Sequence, residues 1–513
     1  MKFVTVGRAV VVLLLLLFLP DMTSFTTPAA SGGLSRPGDL KSRTPLRSSK
    51  DNSEDVNSIP SPAKAFLPKL LTSRISDPLT SEFLGIALPA FLQLTAEPLA
   101  SLVDTIYLGR LSPSSIAGAG ISITLWYSLS KIYNDPLLRS SISLVSSSKS
   151  DAKTLSTSIT TALYLALIIG VLQFIVYIFF TPLLLKNMGL TLSSSMYPSA
   201  LSYIRFRSWG SISATLWLVT NGIYRGLGDT STPLKWSLIF SILNIVLDPF
   251  FMFTCGMGAK GAALGTVVAQ YCALGPLVYG LSRKVEILGL RDEKARSGIK
   301  KSLKLYLSSG ASILMRTVAK VSCYAYCSKM LAGRGVIESA GYNLTFQLGF
   351  AVTQICEGVG IAVQTMLASD LEDKKRVKKI VKLGLGVGGA VAGGLSALTW
   401  FNRGSVIRSL TTDVAVRTAV QAVFPIVLIT QVFKGLAYPS NGIIMGGLDW
   451  NYSNLNMWLA NFVCFAIVSP MGLAKNDLLG VWTGLAGFMA VQVLGSLARV
   501  KSGRGVWRVL KKS

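Results

Sequence analysis

Asn221-Gly-Ile-Tyr-Arg-Gly-Leu-Gly-Asp229 recurs 220 residues later as Asn441-Gly-Ile-Ile-Met-Gly-Gly-Leu-Asp449. Asn, Gly, Ile, Gly and Asp fall at the same offsets in both copies, and each copy closes one apolar run and opens the next. Further pairs support a duplication. Ile116-Ala-Gly-Ala119 aligns with Glu338-Ser-Ala-Gly341, Asp135 with Glu357, and Leu247-Asp248-Pro249 with Val468-Ser469-Pro470. A membrane chain made of two like halves builds its binding site where the halves meet, so the repeat points to transport.

The rest of the chain has the composition of a membrane protein. Half of its 513 residues are hydrophobic and only 14% are charged, well below the charge of a soluble protein. Apolar runs of membrane-spanning length recur from about residue 83 to about 498, and they number about twelve. They predict an all-α integral membrane protein with twelve transmembrane helices in two six-helix lobes. Those lobes would be related by a pseudo-two-fold along the membrane normal. The first lobe covers residues 81–283 and the second 305–498, with a basic linker at 284–304 and a basic tail at 499–513.

A net charge of +26 invites a nucleic-acid reading, but the placement of the charge excludes it. Connections after even-numbered spans and the tail hold about 24 Lys and Arg, the opposite connections about 9, which is the positive-inside pattern. Both termini and the linker therefore belong on the cytoplasm-like side. The chain has no histidine, which removes His-based triads and proton relays. It has no Gly-x-x-x-x-Gly-Lys-Ser/Thr phosphate loop either. No catalytic constellation appears, so no enzyme and no cofactor are expected. The six cysteines lie in apolar runs without zinc-ligand spacing and read as small core residues. Cys323 and Cys327 are one helical turn apart.

Residues 1–80 read as an address. Lys2 and Arg8 precede a short apolar run, Ala9 to Leu19, ended by Pro20, the layout of a signal peptide over residues 1–24. Residues 25–80 are transit-like, rich in Ser, Thr, Pro, Arg and Lys. A signal peptide followed by Phe25 and such a segment resembles the two-part presequences of algae with complex plastids. The expected location is then a plastid envelope. Under the alternative, a plain signal anchor with a disordered tail, it is the secretory pathway or plasma membrane.

Acids inside apolar spans are functional candidates by default, because ionisable groups there cost at least a few kcal/mol. Asp248 has Ser469 as its second-half counterpart, so this acid belongs to one half. Asn244 lies one helical turn before it on the same face. Glu97 and Asp104 are two turns apart in the first span. Carboxylates in so apolar a setting favour their neutral forms, which is the property a proton-coupled carrier needs. Glu357 and Gln364 share a face of the eighth span and are secondary candidates, as is Glu97. Lys131, Asp135 and Arg139 line up at i, i+4 and i+8, either as a local ion ladder or as the lining of a cavity suited to anions. Arg205, Arg207, Arg316 and Lys320 add further basic groups. Asp229 and Arg225 read as loop and packing residues.

These stretches together resemble the multidrug and toxic compound extrusion (MATE) transporters, in their DNA-damage-inducible and plant-plastid branch. The likeness spans about residues 82–500. It is carried by Ala87-Leu-Pro-Ala-Phe-Leu92, the run from Ala96-Glu-Pro to Leu108-Gly-Arg110, Arg225-Gly-Leu-Gly-Asp229, Asn244-Ile-Val-Leu-Asp-Pro249, Gly261-Ala-Ala-Leu-Gly-Thr266 and Ala362-Val-Gln364. The resemblance implies antiport, in which a small organic solute leaves as H⁺ or Na⁺ enters by alternating access. It places the cation site on Asp104, Asn221, Asn244, Asp248 and Thr266. H⁺ is favoured, because carboxylates suffice for it; Na⁺ stays open, because Asn and Thr oxygens suit a hard cation. The partners implied are the solute, the coupling ion and membrane lipid. A lipid-linked-substrate flippase of the same superfamily and a non-transporting membrane scaffold are the alternatives.

Overall fold

The computed structural model describes residues 77–510, apart from 109–112, 188–189, 191, 195, 289–292, 333–335, 411–413 and 470–476. The presequence expectations for residues 1–76 lie outside the described residues. Those described are almost all helical. The first half contains α1 (Pro78–Leu108), α2 (Pro113–Ser147), α3 (Ala152–Asn187), α4 (Tyr197–Ser208), α5 (Ser211–Gly226), α6 (Ser231–Pro249) and α7 (Ala259–Lys284). The second contains α8 (Glu293–Ala332), α9 (Val336–Ser369), α10 (Lys374–Phe401), the short α11 (Arg403–Leu410), α12 (Val414–Gly446), α13 (Trp450–Val468) and α14 (Leu478–Ser502). Proline opens α1 and α2, where its missing N–H is not needed. Among the described residues, six stretches are long and apolar enough to cross a membrane: Ala152–Lys186, Ser231–Thr254, Ala259–Lys284, Lys374–Phe401, Val414–Gly446 and Leu478–Ser502.

Two boundaries differ from the sequence expectation. The apolar run at about 199–224, expected as a single span, is divided, with α4 ending at Ser208 and α5 starting at Ser211. A side chain on Gly210 would press on Arg207 Nη1 and on Val267. The charged linker is not all loop, because α8 begins at Glu293.

The faces of α6 show what surrounds the protein. Ser237, Ser241, Asn244 and Asp248 are buried, while Leu238, Ile242, Val246 and Phe250 are 46–62% exposed. A helix that turns polar groups inward and large apolar groups outward is stable in hydrocarbon, not in water. Much of α3 behaves alike, with Ile168, Leu172 and Phe179 exposed.

The duplication reappears in the packing. Helix α2 packs on α5 as α9 packs on α12, α6 on α7 as α13 on α14, α3 on α5 as α10 on α12, and α1 on α6 as α8 on α13. Contacts between the halves are reciprocal, α1 on α9 and α8 on α2.

The opening repeat builds these seams. A Cβ on Gly222 would lie 2.7 Å from Leu138 O, and one on Gly226 2.8 Å from Ile142 O. In the second copy a Cβ on Gly442 would collide with Gly360 O, and one on Gly446 would lie 2.8 Å from Gln364 O. Leu138 and Gly360, like Ile142 and Gln364, are equivalent positions 222 apart. Two glycines four residues apart therefore let each helix end lie backbone-close on its neighbour, the small-residue packing of membrane helices. The aspartate closing each copy clasps the end of its half's last helix. Asp229 pairs with Lys284 at 2.6 Å on α7, and Asp449 with Arg499 at 2.8 Å on α14.

Between the halves, hydroxyls close the layer near the C-terminal ends of α2 and α9. Ser143 donates to Met445 O at 3.0 Å, Ser146 to Thr365 O at 2.6 Å, and Thr365 to Arg225 O at 3.1 Å. At the membrane edge Arg376 joins Glu82 of α1 at 2.6 Å and Asp370 at 2.7 Å. Lys149, half-buried near them, has its pKa lowered by desolvation, against the pull of Glu82 and Asp370.

Candidate cation site and central cleft

Asp248 is fully buried near the end of α6. Asn244 donates from Nδ2 to Asp248 Oδ1 at 2.9 Å and to Thr266 Oγ1 at 3.2 Å, and Thr266 donates on to Ala262 O. This trio depends on Gly265 of α7. A Cβ there would strike Asp248 Oδ1 and lie 3.0 Å from its backbone nitrogen. Gly265 is thus a site residue that shows in the sequence only as part of a motif.

Asn221 sits elsewhere. Its Oδ1 accepts from Gln93 Nε2 and its Nδ2 donates to Trp217 O at 2.6 Å. Gln93 also donates to Ser237 Oγ at 3.0 Å and accepts from Arg225 Nη2 at 2.9 Å. The link to Asp248 is the polar face of α6, where Ser237, Ser241, Asn244 and Asp248 stack at helical spacing. Ser241 Oγ, midway, is buried without a partner. The sequence-predicted set is therefore a tight trio, Asn244, Asp248 and Thr266, plus Asn221 in a second knot around Gln93. Glu97 and Asp104 fall on α1, and their side chains lie outside the described part. Gln93 was missed by sequence reading. Its signal was a lone amide among the apolar residues before Glu97.

A cleft lies between α2, α8, α9, α12, α13 and α14, with an empty volume of about 540 Å³ including the open space at its mouth. Glu357 and Gln364 both line it. Gln364 donates to Ser143 Oγ at 2.7 Å and to Arg139 O at 3.1 Å. Asp135 and Arg139 pair within α2 at 3.0 Å, and Arg139 reaches across to Glu357 at 2.9 Å. The ladder expected along α2 is thus a triad joining two halves; the Lys131 side chain lies outside the described part. Arg316 and Lys320, one turn apart on α8, supply the other cleft-lining cations. Met445, Met457, Phe488 and Met489 also line the cleft. Asn441, the second-half counterpart of Asn221, faces this cleft and donates to Gln492 Oε1 at 3.0 Å.

The cysteines also hold a surprise for the sequence reading. Cys464 of α13 joins Cys323 and Cys327, with all three sulfurs within 4.8 Å of one another. They lie fully buried in a core with Tyr342, Trp482 and Phe488.

The family model described as MatE matches residues 89–250 and 313–471. The chain is 29% identical over 442 residues to Protein DETOXIFICATION 44, chloroplastic, of Arabidopsis thaliana, across 84% of each chain. It is 22% identical over 446 residues to the probable multidrug resistance protein NorM of Thermotoga maritima, across 82% of this chain and 91% of that one. A crystal structure of MATE in the bent conformation shares the fold, with a TM-score of 0.73 at 18% identity over 85% of this chain and 98% of the other. The chain belongs to the MatE family of multidrug and toxic compound efflux transporters, and is an integral membrane transporter, not an enzyme.

Proposed function

We propose that this transporter is a cation-coupled antiporter, with H⁺ favoured over Na⁺, exporting a small organic solute by alternating access. The observation that carries this is Asp248, fully buried on a helix whose other face meets lipid, bonded to Asn244 and present in one half only. Protonation there removes a charge from a low-dielectric site, and deprotonation restores it. A proton moves the transport equilibrium only through unequal affinity for the two states.

Twelve passes result when α4 with α5 counts as one, α6 is taken with its π-helical extension Phe250–Thr254, and the eight-residue α11 is not counted. Their grouping into two six-helix lobes is supported by the repeated packing pairs and the reciprocal α1–α9 and α8–α2 contacts. The hydroxyl layer between Ser143, Ser146, Gln364 and Thr365 then closes the side bearing the basic connections. The solute reads as negatively charged, because Arg139, Arg316 and Lys320 outnumber Glu357 along the cleft. A plastid envelope is the favoured location, supported by the presequence layout and by relatives described as chloroplastic.

The test is solute flux in proteoliposomes under an imposed pH gradient or an imposed Na⁺ gradient. Flux driven by the pH gradient alone, with protons moving opposite to solute, is the expected result. Flux driven by Na⁺ at zero pH gradient rejects proton coupling.

A further inference from the structure

The cleft contains two arginines in opposite situations. Arg139 is engaged by Asp135 on its own helix and by Glu357 of α9. Arg316 is 6% exposed and lines the same cleft. No ion pair or hydrogen bond joins it to any described residue, and its Nε has no acceptor. A buried Nε with no acceptor costs about 1–3 kcal/mol, and the residue lines the cleft, where an anion would offset that cost. Lys320, one turn further along α8, lies over the Tyr438 ring and adds a second positive charge on that side.

Symmetry sharpens the difference. Asp135 and Glu357 are equivalent acids, one from each half. The counterpart of Arg139 is Ile361, which also lines the cleft. Two equivalent acids thus converge on one guanidinium that only the first half supplies. The Arg139–Glu357 pair is partly open, with side chains 19% and 24% exposed, so a ligand in the cleft can reach it. Met445, Met457, Phe488 and Met489 also line the cleft, and their thioethers give it an adaptable apolar surface.

We infer that the cleft binds amphipathic organic anions, and that Glu357 is a built-in occupant of the anion seat which the substrate displaces from Arg139. This rests on the reading that the solute is negatively charged. The charged head of the substrate sits between Arg316 and Arg139, and its apolar body lies on the Met and Phe wall. With no substrate, Glu357 satisfies Arg139 and ties α9 to α2. Transfer of Arg139 to the substrate releases that tie, so binding favours the state in which α2 and α9 part. This meets the requirement that a ligand act through unequal affinity for two states. Release of the substrate restores the tie.

The experiment uses the full chain in lipid nanodiscs and two probes of one shape and opposite charge, 4-phenylbutyrate and 4-phenylbutylammonium, with binding followed by calorimetry. Wild type is expected to bind the carboxylate and not the ammonium. Glu357→Gln is expected to bind the carboxylate about tenfold more tightly, yet transport it more slowly in proteoliposomes. Arg316→Gln is expected to weaken carboxylate binding by about tenfold or more. Glu357→Asp restores wild-type affinity and flux. Adding Glu357→Gln to Arg139→Gln gives no tightening, because the group being released is gone. Wild type that prefers the carboxylate while Glu357→Gln binds it equally or more weakly overturns the displaced-occupant mechanism and leaves the anionic reading standing. Wild type that prefers the ammonium overturns both. Absence of carboxylate binding to Glu357→Gln also overturns the mechanism.

Discussion

The two copies of the Asn-Gly-Ile segment hold the same backbone position in their halves but have different chemistry. In each, two glycines press on equivalent carbonyls of the neighbouring helix, and a terminal aspartate clasps a base at the end of its half's last helix. The asparagines part company. Asn221 is tied to Gln93 of α1, whereas Asn441 faces the cleft beside Gln492. The glycine seam and the aspartate clasp are the frame common to both halves. The side chains projecting from that frame are free to diverge, so Asn221 joins the buried knot around Gln93 while Asn441 lines the cleft.

The largest expected effect tests that asymmetry. Asp248→Asn should reduce pH-driven flux in proteoliposomes to that of empty vesicles, while Ser469→Ala at the equivalent position should leave it unchanged. Equal loss in both variants would mean that the second half also carries coupling, and the comparison would fail where it matters most.

This asymmetry could be seen in the sequence because a carboxylate in an apolar run has few bland explanations. Asp248, with Asn244 a turn before it, stood out by type and spacing. The helices were legible for the same reason, since apolar runs of sufficient length have no other stable form in a bilayer. What sequence reading missed depends on contacts between distant segments. The break at Trp209 and Gly210 is marked in the sequence by one glycine alone, and the close approach of Arg207 Nη1 to Gly210 is visible only in three dimensions. Gln93 and Asn221 are 128 residues apart, and Cys464 reaches Cys327 across 137. Arg316 looked like any other base near a span until its lack of a partner was visible.

The next effect concerns support of the trio. Gly265→Ala places a methyl group against Asp248, so α6 or the carboxylate must shift. Overpacking of this kind costs about 1–3 kcal/mol. Flux should fall well below wild type while the protein still inserts and purifies. Ala263→Val, two residues away on a different face of α7 (its site fully buried), should show the stability cost of overpacking without the matching change in pH dependence. If both variants alter the pH profile alike, Gly265 is only a packing residue.

The shared frame predicts equal penalties. Gly222→Ala and Gly442→Ala should each lower stability by about 1–3 kcal/mol through the same collision with a carbonyl, read as a lower melting temperature in detergent. A large loss in one and tolerance in the other would show that the two seams are not equivalent despite their matched positions.

The smallest effect belongs to the clasps, and it depends on pH. Asp229 lies outside the spans between α5 and α6. Burial pushes its pKa up, but hydrogen bonds from Lys284 and Thr232 outweigh this and hold it below the usual value. A folded-state pKa below the unfolded value of about 3.9 contributes stability that is present above that pH and lost as pH falls through the folded value. Asp229→Asn should therefore lower the melting temperature modestly at pH 7, and the gap from wild type should close below about pH 4 as wild-type Asp229 is protonated. A gap of the same size at pH 3 and pH 7 would mean that the side-chain shape at the turn matters, not its charge. The Asp229 clasp would then be a neutral turn cap, unlike the Asp449–Arg499 pair with which it is matched.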